Sequence, residues 1–192
     1  MLRVGYIVNF EFDIQKTIAA IAFLMKKEGG ELDMFLALKM LYLADKEALI
    51  NWGKPITGDS FVSLPKGPAL SKVYNLFKGT ARRDHQKQWS TFVSEKVNNS
   101  IHLLKPVDIN ILSEREMEVL EFSRKKIHGV APWEVSRWLH ESCPEWQDPK
   151  GSSIPIHPKT ILRNAGKTAA EIWGIEESNA AYNFAKTTIG SL

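Results

Sequence analysis

The sequence has almost no cysteine. Cys143 is the only one among 192 residues, which excludes a disulfide framework within the chain. A chain of this size without disulfides is typical of a reducing compartment. We therefore expect a cytoplasmic protein.

Long hydrophobic runs are also missing. The longest apolar stretch near the N-terminus, TIAAIAFLM, has nine residues, and acidic residues precede it instead of the basic segment of a secretion signal. A membrane-spanning helix needs ~20 apolar residues. We expect no export and no association with a membrane.

An excess of one charge is lacking too. Lysine and arginine number 25 against 22 acidic residues, a net charge of +3, which is too small to indicate nucleic-acid binding by itself. Two basic clusters could contact phosphate or an acidic protein, although such runs more commonly form a solvated face. They comprise Arg82, Arg83, His85 and Lys87, and Arg124, Lys125 and Lys126.

Catalytic and metal-binding motifs are absent from the sequence. The five histidines are too dispersed for a zinc-binding spacing, and His140 with Cys143 supplies only two ligands. There is no glycine-rich phosphate loop and no nucleophile elbow. We expect no enzymatic activity, no cofactor and no metal. A hydrolase or nuclease whose site lies near Asp45 and His140 remains an alternative.

What the sequence does contain is helical periodicity. Apolar spacing and capping residues predict helices over 14–28 and from Asp33 to about 52, the second being the central helix because apolar residues cover much of its circumference. Ser113 and Glu116 form a capping box that starts another helix. Further helices are predicted after Pro68, from Pro132, from Pro158 and within SNAAYNFAK.

Two segments predict β structure. Residues 55–68, rich in proline and glycine, indicate an extended insert, and the alternation around Asn98 and Asn99 predicts a hairpin near 90–104. The basic stretch ARRDHQKQ between them is predicted to be a surface loop. We expect a mainly α (α+β) fold with a small β element, in a single domain over 1–192 with a core of about 14–165 and a helical extension over 166–192.

Asp45 stands on the apolar face of the central helix. A buried carboxylate without partners would cost several kcal/mol. The turn LPKGPALS offers Lys66, a glycine that permits close approach and the amides of a helix N-terminus. We expect Asp45 to accept hydrogen bonds from this turn and to pin the insert onto the central helix.

Three tryptophans crowd one short region. Trp133, Trp138 and Trp146 would suit a binding surface, but large aromatic side chains more often fill a core. For contacts with a partner we favour the extended insert over 54–70 and the loop over 143–155, because such segments offer backbone and adaptable side chains.

Several blocks of the sequence together resemble a known family. KMLYLADKEAL, GKPITGDSFVSLPKGPALSKVYNLF, LSEREMEVLEF and APWEVSRWLHESCPEWQDPKG occur in the order found in the Panacea domain, the SocA-like antitoxin domain that is also found in phage-associated proteins. The likeness covers roughly residues 14–165. It implies a mostly helical protein that binds and neutralises a toxin, usually encoded by the adjacent gene.

Candidate site residues come from the family resemblance, from the insert over 54–70 and from the loop over 143–155. Candidate partner-binding residues are Lys66, Gly67, Pro68, Tyr74, Trp146 and Asp148, and the residues expected to hold the family's fold include Asp45, Trp133 and His140. Two alternatives stay open, a proteolytic adaptor that delivers a toxin to an ATP-dependent protease and a nucleic-acid-binding regulator. A homo-oligomer is compatible with either.

Overall fold

A computed structural model describes residues 10–189, apart from the side chains of residues 186, 187 and 189. Within these residues the chain is mainly helical with a small antiparallel β element, as the sequence predicted. The helices are α1 (Ile14–Lys27), α2 (Met34–Trp52), α3 (Ser71–Lys78), α4 (Arg83–Phe92), α5 (Glu114–Ile127), α6 (Pro132–Ser142), α7 (Pro158–Asn164) and α8 (Ala169–Ile189). The strands are β1 (Glu31–Asp33), β2 (Phe61–Leu64), β3 (Gly67–Leu70), β4 (Ser100–His102) and β5 (Ile154–Ile156).

Helix α2 is the centre of the fold. It packs against α5, β3 and α7, and buried side chains lie around most of its circumference, as its sequence predicted. The Asp33 side chain accepts a hydrogen bond from the Leu36 amide at 3.0 Å and caps its start, and Gly53 ends it at φ +78°. The central helix therefore begins and ends where its capping residues predicted.

The insert that follows α2 is a β-hairpin. Strands β2 and β3 pair antiparallel, with Phe61 opposite Leu70, and β5 pairs with the other edge of β2. The extended character predicted for this insert is confirmed. Strand β5 lies at the end of the loop that the sequence predicted up to Pro155. The strand was not predicted because its pairing with β2 is a nonlocal contact without a local sequence signal.

The segment 80–104 differs most from its prediction. ARRDHQKQ lies mostly in α4 and is not a loop, because Trp89 is buried and packs edge-on against Phe77 at 5.3 Å between ring centroids. Asn98 and Asn99 do form a turn, both at positive φ, but β4 pairs with β1 and the residues up to Phe92 are helical. Of the hairpin predicted near 90–104, the structure therefore contains only the turn and isolated β-bridges.

Among the later helices, α5 begins at its predicted capping residues, whereas α8 begins earlier than predicted. The Ser113 amide and hydroxyl donate to Glu116 at 2.9 and 3.0 Å, which confirms the capping box of α5. Helix α8 begins at Ala169, well before the predicted SNAAYNFAK segment. Its residue Ile172 belongs to the same buried cluster as Phe12, so the hydrophobic core extends into the helical extension.

Candidate functional site

Side chains of α2 and α6 hold the segment of residues 57–70 against the helical body. We call this region the hairpin seam, and its side chains are Lys39, Tyr42, Asp45, Lys46, Thr57, Asp59, His140, Glu145 and Trp146. Most of these side chains are buried, although several carry charge. Each buried charge therefore needs partners within the fold.

Lys39 is a buried cation that faces strand β3. Its Nζ donates to the carbonyls of Gly67 at 3.0 Å and Pro68 at 2.7 Å, and it lies 5.2 Å from the centre of the Phe35 ring. Burial lowers the pKa of Lys39 to about 7. A side chain in the middle of a helix thus binds two carbonyls at the start of β3.

Asp45 is fully buried and accepts hydrogen bonds from both the amide, at 3.0 Å, and the hydroxyl of Thr57. Burial raises its pKa to about 7, against the opposing effect of these hydrogen bonds. The expectation that Asp45 pins the insert onto α2 holds, but the partner expected in LPKGPALS is wrong. Thr57 is nearer along the chain, and its carbonyl also accepts from the Asp13 amide at 2.8 Å.

The helix N-terminus that was expected to donate hydrogen bonds to Asp45 donates them to Asp59 instead. It accepts from the amides of Lys72 at 3.0 Å and Val73 at 2.8 Å, in the first turn of α3, and from Ser60 at 2.6 Å. Burial raises its pKa to about 6. Sequence reasoning missed this residue, although α3 begins after Leu70, which cannot cap, and so requires an acceptor from elsewhere.

A second polar network joins α2 to the turn after α6. Glu145 accepts hydrogen bonds from the Tyr42 hydroxyl and from Lys46 Nζ, the latter at 2.5 Å. Lys46 also lies 3.7 Å from Cys143 Sγ. Burial is the main cause that raises the pKa values of Tyr42 and Cys143. The single cysteine is therefore a buried thiol in this network.

His140 and Trp146 close the other side of the hairpin seam. Their rings stack at 3.8 Å with an interplanar angle of 13°, and Trp146 Nε1 donates to the Leu64 carbonyl at 2.9 Å. Burial and the charge of Lys39 lower the pKa of His140. Cys143 contacts Lys46, whereas His140 contacts Trp146. The two residues of the H-x-x-C pair therefore have different partners.

The candidate partner-binding residues lie in two kinds of environment. Lys66 and Asp148 are exposed, Tyr74 and Trp146 are half-buried, and Gly67 and Pro68 are buried in β3. Gly67 has φ +97°, a conformation that favours glycine. The structure thus places Lys66 and Asp148 at the surface, and gives Gly67 and Pro68 contacts within the fold.

The outer face of α6 exposes aromatic side chains. Trp133 is 64% exposed, and the Arg137 guanidinium lies 5.2 Å from the centre of its ring. Trp133, Arg137 and His140 are spaced i, i+4 and i+7, which places them along one side of the helix. This strip continues from the exposed Trp133 to the stacked pair of His140 and Trp146. Trp133, expected among the residues that hold the fold, is instead a surface side chain.

Parts of the two basic clusters are neutralised within the chain. Arg124 pairs with Glu28 at 2.7 Å and with Glu121 at 2.8 Å, and Arg82 pairs with Asp84 at 2.6 Å. Ion pairing of this kind reduces the positive charge that is available to phosphate.

Residues 10–189 lack two further features, a metal-binding cluster and a membrane-spanning helix. No group of three or more histidine, cysteine, aspartate or glutamate side chains there could hold a metal ion. Among the helices of the same residues, none combines the length and apolar character that crossing a membrane requires.

A known protein family matches this chain. The family model described as antitoxin SocA-like, Panacea domain, covers residues 38–147, a range that contains the hairpin seam and all of α6. No curated protein and no solved structure matches the chain.

Proposed function

Because the chain belongs to the Panacea family of SocA-like antitoxins, we propose that it is a non-enzymatic antitoxin that neutralises a cognate protein toxin by direct binding. The toxin is encoded by the adjacent gene. Family membership supports an antitoxin role and a toxin partner in general. The geometry of α6 supports direct binding as the mechanism.

The observation that carries the proposal is the exposed strip on α6. Val135 and Leu139 are buried and anchor the inner face of the helix, while Trp133 and Arg137 stand on the outer face. Tryptophan and arginine are enriched among residues that dominate binding energy. A rigid helix that presents them supplies contact area at a small cost in conformational entropy.

The surroundings of the strip suit a larger interface. Lys66 and Asp148 are exposed at the hairpin tip and in the loop after α6, and the bond from Trp146 to the Leu64 carbonyl joins these two segments. A stable complex buries ~1,600 Å² in total. We propose that the strip, the hairpin tip and this loop contribute contacts to such an interface.

The polar groups of the hairpin seam support a role without catalysis. Asp45 is fully buried, and both of its carboxylate oxygens accept from Thr57. A general base must reach a substrate proton, whereas here the carboxylate is occupied by the fold. We assign Asp45 and His140 to the packing of the insert.

Co-expression tests the proposal. This protein is produced together with the product of the neighbouring open reading frame, growth is scored, and the complex is purified. We expect rescue of growth and a stable complex. Trp133→Ala should weaken the complex at least about tenfold because it removes an aromatic anchor, whereas Phe184→Ala, at an exposed aromatic on α8, serves as the matched control.

Other outcomes would contradict direct neutralisation. Rescue without a complex, together with a protease-dependent fall in the half-life of the toxin, would favour the adaptor mechanism. Absence of toxicity from the neighbouring product would remove the support for that partner. Sequence-specific retention on promoter DNA across a salt series would favour the nucleic-acid-binding regulator.

A further inference from the structure

A large cleft lies on a different part of the molecule from the α6 strip. We call it the α8 cleft. It has a volume of about 990 Å³ and lies between residues 10–16, the C-terminal end of α2, the start of α5 and residues 167–183. Residues 10–16 and 167–183 lie outside the matched family domain. The cleft therefore combines the matched family domain with segments that lie outside it.

Helix α8 is fastened to the body along one wall of this cleft. Asn179 Nδ2 donates to the Gly53 carbonyl at 3.0 Å, and Lys159 pairs with Glu176 at 2.6 Å. Ile175 packs so closely on Gly53 that a Cβ at that glycine would lie 3.0 Å from its Cγ1. These contacts hold the wall in place before any partner binds, as is usual for binding clefts.

Four cations and four carboxylates line the α8 cleft, the carboxylates being Glu11, Asp13, Glu116 and Glu171. Asp13 accepts a hydrogen bond from the Lys16 amide at 3.0 Å as the cap of α1. Lys16 pairs with Glu116 at 2.6 Å, and Lys167 lies 3.6 Å from Glu171. The other two cations, Lys54 and Arg115, lie over aromatic rings instead.

Arg115 lies 4.6 Å from the centre of the Trp52 ring, and Lys54 lies 4.1 Å from that of Tyr182. Both cations are exposed, and neither forms an ion pair with any carboxylate of residues 10–189. The nine residues before Phe10 contain no aspartate or glutamate, so their side chains supply no counter-charge. The cleft thus presents two cations without a carboxylate partner from these parts of the chain.

Apolar surface accompanies these cations. Ile50, Trp52 and Ile175 are half-buried where they line the cleft, and Tyr182 is 54% exposed. Cations beside an apolar floor complement a segment that carries carboxylates on one side and apolar side chains on the other. Such a segment fits a groove by burying its apolar face and pairing its charges at the rim.

We propose that the α8 cleft binds an acidic amphipathic segment of the toxin. This inference rests on the proposed function, since it takes the toxin as the source of the segment. It adds a second contact region, one that pairs toxin carboxylates with Lys54 and Arg115. Because two walls of the cleft lie outside the family domain, this region would adapt the antitoxin to its own toxin.

The first test uses a synthetic helical peptide with leucine and glutamate at helical spacing, and a second peptide with lysine in place of glutamate. Binding to the full chain is followed by the anisotropy of a labelled peptide at low salt. We expect the glutamate peptide alone to bind, and the Lys54→Glu/Arg115→Glu variant to lose affinity at least about tenfold.

The matched control is Lys126→Glu, which also reverses an exposed cation lying over an aromatic ring, that of Phe122, but lies outside both the cleft and the α6 strip. It should change peptide affinity less than about twofold. Failure of the wild-type protein to bind the glutamate peptide would overturn the proposal. Equal binding of both peptides, or an equal loss in Lys126→Glu, would do the same. Self-association that Lys54→Glu/Arg115→Glu abolishes would show that a second copy occupies the cleft instead.

The second test separates this inference from the proposed function. The neighbouring gene product is co-purified with the wild-type protein and with both variants. If it binds the wild-type protein and Lys54→Glu/Arg115→Glu equally well, the antitoxin proposal stands and the cleft proposal falls. If it does not bind the wild-type protein while the peptide behaves as expected, the neighbouring product is not the partner, and the specificity of the cleft for acidic segments stands.

Discussion

The hairpin seam and the α8 cleft both contain charged side chains, but they neutralise them in different ways. In the hairpin seam the buried charges of Lys39, Asp45 and Asp59 are held by fixed backbone and hydroxyl dipoles. In the α8 cleft Lys54 and Arg115 are exposed and lie over aromatic rings. The first arrangement orders the insert, whereas the second leaves charge available to a partner.

This difference indicates which region a substitution should affect. Removing an internally bonded charge leaves buried donors or acceptors without partners, which destabilises the fold. Reversing an exposed charge costs little stability but changes electrostatic complementarity. The expected loss in the free energy of unfolding is therefore largest for substitutions in the hairpin seam and smallest for those in the α8 cleft.

Asp59→Ala should have the largest effect. It leaves the amides of Ser60, Lys72 and Val73 without their acceptor, and we expect a loss of about 4 kcal/mol in the free energy of unfolding. Urea denaturation measures it. Asp148→Ala is the control, because its exposed carboxylate accepts only a local bond from the Lys150 amide. Equal losses in the two variants would contradict the assignment of Asp59 as the cap of α3.

Asp45→Asn should remove a pH dependence. The folded-state pKa of Asp45 is raised to about 7 from the ordinary 3.8, so its contribution to stability is fully present below pH 3.8 and is lost as the pH rises through 7. Relative to Asp45→Asn, the wild-type protein should lose about 3 kcal/mol between pH 4 and 7, since a tenfold change in ionisation corresponds to about 1.4 kcal/mol. A difference between the proteins that stays constant with pH would contradict this burial.

Lys39→Met tests the opposite sign. Burial lowers the folded-state pKa of Lys39 from 10.5 to about 7, so the unfolded chain holds more protons above pH 7. Relative to Lys39→Met, the wild-type protein should gain about 2 kcal/mol in the free energy of unfolding between pH 7 and 9. Denaturation of both proteins at each pH isolates Lys39, because Cys143 and Tyr42 titrate in both. No change in this difference between pH 7 and 9 would show that the amine is charged and keeps its ordinary pKa in the folded protein.

Lys54→Glu/Arg115→Glu should have the smallest effect on stability. Both side chains are exposed, and the loss of two surface contacts with aromatic rings should cost about 1 kcal/mol or less. Thermal denaturation checks this value, and Lys126→Glu is again the control. A loss comparable to that of Asp59→Ala would mean that the α8 cleft is a structural region like the hairpin seam.

The parts of the fold that the sequence predicted are those with local signals. The Ser113 capping box, the Asp33 cap and the apolar circumference of α2 depend on residues a few positions apart, and these boundaries were correct to within about a residue or two. The segment ARRDHQKQ was misassigned because its apolar anchor, Trp89, follows the charged run. Its burial depends on Phe77 of the preceding helix.

The candidate site divides in the same way. The sequence identified Asp45 as a buried carboxylate in need of partners, because its position on a helical face is a local property. It did not identify Thr57 as the partner or Asp59 as the distant cap of α3, because both contacts require the path of the insert to be known. The exposure of Trp133 was missed as well, since helical spacing does not show which side of α6 faces the core.

The sequence by itself determined the helical class, the central position of α2, the family and the need to satisfy a charge at Asp45. Periodicity, capping and motif order are encoded in neighbouring residues, which is why these conclusions required no coordinates. Only the tertiary structure decided which dipoles bind the buried charges, and that Lys54 and Arg115 meet in one cleft. The residues involved are brought together by packing over long separations in the chain: Arg115 lies 63 residues after Trp52, and Tyr182 lies 128 residues after Lys54.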